Sequence, residues 1–157
     1  MNQPPASLPR SPELERALDR IRVVLSHTSH PGNIGAAARA MKTMGVSRLT
    51  LVNPKTFPHD EAIARSAGAD DILANAAVCQ SLGEALDGCL YAVAVSARHR
   101  NLGPKPMHAR EAAPEILNLA ADGEVALVFG NETSGLSNDE VQRCQRTVFI
   151  PANPDYT

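Results

Sequence analysis

The sequence has 157 residues, which is the length of a single globular domain. Hydrophobic residues make up 43% of the chain and aromatic residues only 3%. A core built from Ala, Val, Leu and Ile is therefore expected, as is typical of helices that cover a buried sheet. Fifteen basic and seventeen acidic side chains give a formal charge of −2, which excludes a strongly basic chain that coats nucleic acid by bulk charge.

The chain carries no signal for a membrane or for secretion. No apolar run approaches the roughly eighteen residues of a membrane span, and the N-terminal residues include no apolar segment of the secretory type. Cys79, Cys89 and Cys144 are an odd and widely spaced set without a C-x-x-C pair, which argues against a disulfide scaffold and against a zinc site. We therefore expect a cytoplasmic protein that binds no metal.

The first twenty residues predict a flexible N-terminal extension. Residues 1–12 hold four of the twelve prolines, which favours a disordered or loosely docked tail. Ser11 is nevertheless a candidate N-cap for a short helix that runs to Leu18.

Strand-like and helix-like segments alternate from Ile21 onward. Runs of β-branched and aliphatic residues predict strands at 21–25, 48–52, 76–79, 90–95, 125–129 and 148–150. Helical patterns predict helices at 34–44, 60–67, 82–86 and 109–121. In the last of these, Pro114 limits how far upstream the regular part can begin. The capping box at 137–140 predicts the start of one further helix. This alternation predicts one α/β domain with a parallel sheet and helices on both faces.

The helix predicted after the first strand carries an isolated arginine. Asn33 is suited to be its N-cap, and Gly45 is suited to end it. A core-facing stripe is formed by Ile34, Ala37, Ala38, Met41 and Met44. Arg39 lies roughly 140° around the helix from the start of this stripe, among alanines that would allow another backbone or subunit to approach closely. From spacing alone, a solvated surface arginine remains the alternative.

Ligands of an open α/β sheet bind outside the carboxyl ends of its strands, which directs attention to the loops at 27–33, 96–107, 130–136 and 151–157. His27 and His30 have a spacing that could indicate a metal, but no third ligand is evident, so ordinary loop histidines are favoured. The run at 98–100 (Arg-His-Arg) suits either a phosphate or a solvated charge cluster. Glu132 is either a carboxylate that orients a ligand or simply a turn residue.

Three segments together resemble the motifs of the SPOUT class of RNA methyltransferases. Residues 33–39 (NIGAAAR), closed by Gly45, resemble motif 1, and residues 127–132 (LVFGNE) with the following Gly-Leu resemble motif 2. Residues 150–154 (IPANP) with Tyr156 are similar to the opening of motif 3. The segments at 26–28 (SHT) and 96–98 (SAR) make the TrmJ-type tRNA (cytidine/uridine) 2′-O-methyltransferases the most similar branch.

The resemblance implies a function, a cofactor and a set of site residues. It implies 2′-O-methylation of a tRNA ribose, at a cytidine or uridine at anticodon-loop position 32, with S-adenosylmethionine as methyl donor. It also implies a SPOUT domain over residues 21–157 with a C-terminal trefoil knot, a fold element that is otherwise nearly absent from proteins. The cofactor-binding residues implied by position are Val95, Ser96, Ala97, Gly130, Ile150 and Thr157. The catalytic residues implied are Arg39, Asn33 and Glu132, in a homodimer whose active site is completed across the interface.

A ribose 2′-hydroxyl is a poor nucleophile, so its proton must be removed or its developing negative charge stabilised. An arginine, with a pKa above about 12, is rarely deprotonated. Our hypothesis is that Arg39 stabilises the alkoxide or binds the adjacent phosphate, while a water or a phosphate accepts the proton.

The end of the chain departs from the family pattern. In the family, motif 3 continues past its tyrosine with Ser-Leu-Asn and a helix that closes the cofactor pocket and helps to build the dimer, whereas this sequence ends at Thr157. TrmJ-type proteins also carry a helical C-terminal extension that helps to hold tRNA, and the near-neutral charge fits a chain without that surface. We therefore expect an N-terminal catalytic domain that transfers methyl groups weakly or not at all by itself.

Two other classes of function remain open at this point. One is a non-catalytic SPOUT-like module that binds RNA or a nucleotide. The other, a generic nucleotide-dependent enzyme, has little support because neither a Walker loop nor a G-x-G-x-x-G pattern is present. The joint presence of Asn33, Arg39 and Glu132 favours the methyltransferase, since a pure binding module needs no such trio.

Overall fold

The computed structural model describes residues 10–97, 105–153 and 155. The strands in these ranges are β1 (Ile21–Ser26), β2 (Arg48–Val52), β3 (Ala77–Cys79), β4 (Cys89–Val95), β5 (Met107–His108), β6 (Glu124–Phe129) and β7 (Arg146–Phe149). The helices are α1 (Pro12–Asp19), α2 (Pro31–Met44), α3 (Asp60–Ser66), α4 (Asp70–Ala74), α5 (Leu82–Ala85), α6 (Ala109–Ala120) and α7 (Asn138–Gln142). None of these helices combines the length and the apolar character needed to cross a bilayer.

The described strands form one seven-stranded sheet in the order β3-β2-β1-β6-β4-β7-β5. Every recorded strand pair is parallel, with Leu25 of β1 beside Phe129 of β6 and Val95 of β4 beside Phe129 on the other side. Because β4 lies between β6 and β7, the carboxyl ends of these three strands are neighbours at one edge of the sheet. The prediction of a parallel α/β domain is confirmed.

Helices cover both faces of the sheet, as the sequence predicts. On one face α2, α3 and α4 bury aliphatic side chains such as Ile34 and Ala38 against Leu51, while α1 and α6 pack over the neighbouring strands. On the opposite face α5 and α7 pack against Val24 and Val128. Burial of this aliphatic surface is the main force that holds the layers together, since each fully buried Val or Ile contributes about 1.5–3 kcal/mol.

The short helix α1 begins where the sequence predicts. The Ser11 hydroxyl oxygen accepts a hydrogen bond from the N–H of Leu14 at 3.2 Å, which makes it the N-cap. The helix packs on the domain through Ala17, which is 5% exposed in the same core cluster as Val93 and Val125. Of the tail predicted at residues 1–12, residues 1–9 lie outside the described residues, and Pro12 already belongs to α1.

Two local predictions are wrong, and two short elements were missed. Helix α2 begins at Pro31 rather than at Ile34, because a proline in the first turn needs no hydrogen-bond partner for its nitrogen. Helix α6 runs from Ala109 straight through Pro114, which removes one internal hydrogen bond without ending the helix. Two elements were not predicted, α4 and β5, since five and two residues are too few to show a periodicity.

Candidate functional site

The carboxyl edge of the sheet gathers most of the residues that were predicted to bind the cofactor. Val95 is the last residue of β4, Gly130 follows β6 and Ile150 follows β7. The N–H of Ser96 donates to the carbonyl oxygen of Val148 at 2.9 Å, which ties the loop after β4 to the neighbouring strand. Ala97 follows at the same edge, whereas Thr157 lies outside the described residues, as do Arg98, His99 and Arg100 of the predicted phosphate loop.

The loop after β6 is closed by its own hydrogen bonds. Asn131 and Gly135 form an isolated antiparallel bridge in which the N–H of Gly135 donates to the carbonyl oxygen of Asn131 at 2.8 Å. The Asn131 side-chain oxygen also accepts from the N–H of Thr133 at 2.9 Å. A Cβ at Gly130 would overlap the backbone of Gly135 and Leu136. The loop can therefore close on itself in this way only with glycine at position 130.

The same loop is joined to the loop between β1 and α2. The side-chain amide of Asn131 donates to the carbonyl oxygen of His27 at 2.8 Å and contacts the hydroxyl of Ser29 at 3.0 Å. The Glu132 carboxylate accepts from the N–H of Ser29, with both of its oxygens at 3.0–3.1 Å. The amino end of α2 is thus fixed relative to the carboxyl end of β6.

The prediction that Asn33 is the N-cap of α2 is wrong. His30 occupies that position without a side-chain capping bond, because the helix starts at Pro31 and places Asn33 inside the first turn. The Asn33 side chain instead lies close enough to the Glu132 carboxylate to help lower its pKa. Desolvation by itself would raise the pKa of Glu132, but hydrogen bonds from the N–H of Ser29 and from other groups, including Asn33, lower it below its usual range. The structure therefore brings Asn33 and Glu132 together.

Arg39 lies apart from this pair. It is exposed, six residues beyond Asn33, and a rise of about 1.5 Å per residue puts it roughly 9 Å further along the helix, away from the carboxyl edge. Among the described residues no carboxylate pairs with its guanidinium, and it borders a shallow cavity of about 250 Å³ that Lys42 and Ser66 also line. A single chain therefore does not bring Arg39 to the loops that follow β4, β6 and β7.

Sequence reasoning missed a buried polar cluster at the end of β1. Ser26 is 1% exposed, its hydroxyl donates to the Glu140 carboxylate, and its oxygen lies 2.9 Å from Nδ1 of His27. Desolvation raises the pKa of Glu140, but hydrogen bonds from Ser137 and Ser26 outweigh it and leave that pKa lowered. The capping box at 137–140 predicted the start of α7. No sequence pattern indicated that its glutamate, Glu140, also contacts Ser26 of β1.

The two loop histidines do not share a site. His30 begins α2, whereas His27 adopts a positive φ of 57° and faces Ser26. Within the described ranges no group of three His, Cys, Asp or Glu side chains is arranged to hold a metal ion. Burial raises the pKa of the Cys144 thiol to about 11, so this cysteine is an unreactive core residue.

An apolar groove runs beside α2 on the sheet face. It measures about 340 Å³ and is lined by Val23, Leu25, Ala37, Ala40, Met41, Met44, Val46, Leu127 and Phe129. Met44, which the sequence assigns to the core stripe, is 65% exposed because no described element covers this end of the groove. The alanine-rich flank of α2 predicted to be an interface surface forms one wall of this groove.

Comparison with solved structures defines the class of fold. A probable methylase family protein from Haemophilus influenzae Rd KW20 superposes with a TM-score of 0.83 at 48% identity, over 89% of this chain and 59% of that one. TrmJ from Z. mobilis ZM4 superposes with a TM-score of 0.81 at 32% identity, over 86% and 60% of the two chains. The molecule has the fold of the SPOUT methyltransferases.

The sequence comparison then identifies the family. The chain belongs to the SpoU rRNA Methylase family, whose model matches residues 20–157. The tRNA (cytidine/uridine/adenosine-2′-O-)-methyltransferase TrmJ of Pseudomonas aeruginosa is 56% identical over 140 residues, which cover 88% of this chain and 54% of the relative. The corresponding TrmJ of Pectobacterium atrosepticum is 51% identical, over 89% and 58%. The chain thus spans little more than half the length of these relatives.

Proposed function

We propose that this protein transfers a methyl group from S-adenosylmethionine to the 2′-hydroxyl of a ribose in tRNA. The curated relatives at 56% and 51% identity are named as tRNA 2′-O-methyltransferases. One observation carries the proposal: the carboxyl ends of β4, β6 and β7 meet at the edge of the sheet where α2 begins. Helix α2 bears Asn33 and Arg39.

The residues at this edge suit S-adenosylmethionine. Ile150 is 62% exposed and offers apolar surface to an adenine ring, while the turns at Ser96 and Gly130 offer backbone groups. When bound, the cofactor supplies a methyl group on a positively charged sulfur. The proposed binding residues are Val95, Ser96, Ala97, Gly130, Ile150 and Thr157. The task of these loops is to hold that methyl group in line with the ribose oxygen.

Arg39 is the proposed catalytic residue. Its guanidinium is exposed and forms no ion pair with a described carboxylate, so its hydrogen-bond donors are available to RNA. It binds the phosphate next to the target ribose or stabilises the negative charge that develops on the 2′-oxygen, while a water or a phosphate accepts the proton. A guanidinium suits both roles because its planar fork of donors matches two oxygens at once.

We also propose that the active site is completed by a second copy of the chain. Arg39 lies about 9 Å further along α2 than Asn33, away from the carboxyl edge of its own sheet, and the apolar groove beside this helix leaves Met44 65% exposed. A partner that covers this groove with its own α2 would bring its arginine towards the cofactor loops and bury the groove.

The remaining proposals concern the larger assembly. Residues 21–157 form the SPOUT domain, with a C-terminal trefoil knot. The substrate is a pyrimidine nucleotide of tRNA, at position 32 of the anticodon loop, and the reaction takes place in the cytoplasm, where tRNA is found.

Calorimetric titration of S-adenosylmethionine into this chain tests the proposal against a non-catalytic RNA-binding module. We expect one binding site per chain, with affinity unchanged in Arg39→Ala because that arginine lies far from the loops of its own chain. Absence of binding by the chain and by a version extended past Thr157, with circular dichroism showing that both are folded, would favour the non-catalytic module.

A further inference from the structure

Helix α2 lacks the features that stabilise the amino ends of the other helices. Each of the other six described helices has an acidic side chain in its first turn, where it interacts favourably with the helix dipole. Helix α2 has none there, and its N-cap residue His30 makes no side-chain capping bond. With fourteen residues it is nevertheless the longest of the seven.

The missing carboxylate is supplied by Glu132, which is 102 positions beyond His30 in the sequence. Oε1 of Glu132 lies 3.1 Å from the N–H nitrogen of Ser29 and 3.5 Å from that of His30, and Oε2 lies 3.0 Å from the nitrogen of Ser29. The side chain of Asn33, in the first turn of α2, also lies close enough to favour this carboxylate in its charged form. One anion thus occupies the position that an Asp or Glu of the helix itself would fill.

We infer that Glu132 is the cap of α2 donated by the loop after β6, and that it acts in methyl transfer as a positioning residue for Asn33 and Arg39. The inference rests on the proposed function. Because α2 is a rigid rod, the position of its amino end sets where Arg39, two turns further along, meets its substrate. In this role the carboxylate acts through the backbone of the loop before α2 and not through a contact with cofactor or RNA.

The surroundings of Glu132 argue against a role as general base. Both of its oxygens accept from the N–H of Ser29, and Oε1 lies 3.5 Å from that of His30, so the carboxylate is already engaged with the backbone ahead of α2. The same bonds lower its pKa, whereas a general base works best with a pKa near the operating pH. The neighbouring Asn131 contacts the same loop before α2, at His27 and Ser29. Asn131 and Glu132 together therefore connect the end of β6 to the start of α2.

Amide hydrogen exchange measured by NMR tests the capping contact without any assay of activity. In Glu132→Ala we expect exchange of the Ser29 and His30 amides about tenfold faster than in the wild-type chain, and in Glu132→Gln an intermediate rate, because one carbonyl oxygen still accepts. Asp139→Asn is the matched control, since it removes an 81% exposed carboxylate nearby and should leave both rates unchanged. Exchange rates in Glu132→Ala equal to those of the wild type would overturn the inference.

Methyl transfer by the full-length protein tests the positioning role. We expect the rate of transfer to fall in the order wild type, Glu132→Gln, Glu132→Ala, in step with amide protection, while the Kd for S-adenosylmethionine stays within about twofold. A Glu132→Gln protein that keeps its amide protection but is as inactive as Glu132→Ala would show that the charge itself takes part in the chemistry, and would overturn the inference. Absence of transfer by the wild type would instead reject the proposed function, while the exchange experiment would still decide the capping role.

Discussion

Gly35 of α2 lies directly against the backbone carbonyl of Ala62 in α3. A Cβ at this position would overlap that carbonyl oxygen and approach the Cβ of Arg65 to 2.9 Å. Backbone cannot move aside as the end of a side chain can, so Gly35→Ala must push the two helices apart. We expect a loss of about 1–3 kcal/mol in the free energy of unfolding, measured by urea denaturation.

Gly32→Ala is the matched control in the same helix. Its Cβ would meet only side-chain atoms, the carboxylate of Glu61 at 3.1 Å and Cγ of Arg65 at 3.5 Å. Since alanine is a better helix former than glycine, we expect a change between zero and about 1 kcal/mol of stabilisation. Equal losses in the two variants would contradict the close packing of α2 on α3.

The lysine variant of Arg39 separates charge from geometry. Arg39→Lys keeps the positive charge but loses the planar fork of donors, so we expect methyl transfer to fall by about 10²-fold in the full-length protein. Arg143→Lys, an exposed arginine on α7's side of the sheet, serves as control and should retain wild-type transfer. Retention of most activity by Arg39→Lys would mean that only the charge matters.

The proposed dimer depends on the apolar groove beside α2. Met44→Glu places a charge in that groove at a residue that is 65% exposed, so the fold should tolerate it while association is weakened. We expect sedimentation analysis to show a dimer for the wild type and a shift to monomer in the variant. Ile63→Glu, at a similarly exposed apolar residue outside the groove (51%), should stay dimeric. A monomeric wild type, or equal effects of both changes, would refute this interface.

Acid should destabilise the protein through Glu140 and Glu132, whose pKa values are both lowered in the folded state. A carboxyl group with a lowered pKa stabilises the fold above its unfolded value, and this contribution is lost as the pH falls through the folded value. We therefore expect the free energy of unfolding to decline below about pH 4.3, the ordinary glutamate pKa. The decline should be shallower in Glu140→Gln, and an unchanged pH dependence in that variant would rule out a contribution from Glu140.

The succession of strands and helices and the parallel sheet could be predicted from the sequence because β-branched runs and capping residues are local signals. The rule that ligands bind at the carboxyl ends of parallel strands directed attention to the loops there, and the resemblance to the SPOUT motifs singled out Val95, Gly130 and Ile150. The contacts between distant residues could not be predicted in this way. Nothing near Glu132 indicates that it reaches the backbone of Ser29, and nothing in the capping box indicates that Glu140 accepts from Ser26.

The difference between local signals and contacts of distant residues also explains the wrong prediction at Asn33. Its residue type and position suit an N-cap, but the helix starts three residues earlier than predicted, at Pro31, where Glu132 accepts from the backbone just ahead of it. Met44 has the spacing of a core residue, yet its burial depends on what covers the groove beside α2. In both cases a partner distant in sequence, or outside the chain, decides the outcome.

Analysis of the nucleosides formed in methyl transfer is the most direct test of the account. Unmodified tRNA is incubated with the full-length protein and S-adenosylmethionine, digested to nucleosides and analysed by mass spectrometry. We predict a 2′-O-methylated pyrimidine nucleoside with the wild type and at least about 10²-fold less of it with Arg39→Ala. A methyl group on the base, or a yield that Arg39→Ala leaves unchanged, would contradict the proposed reaction.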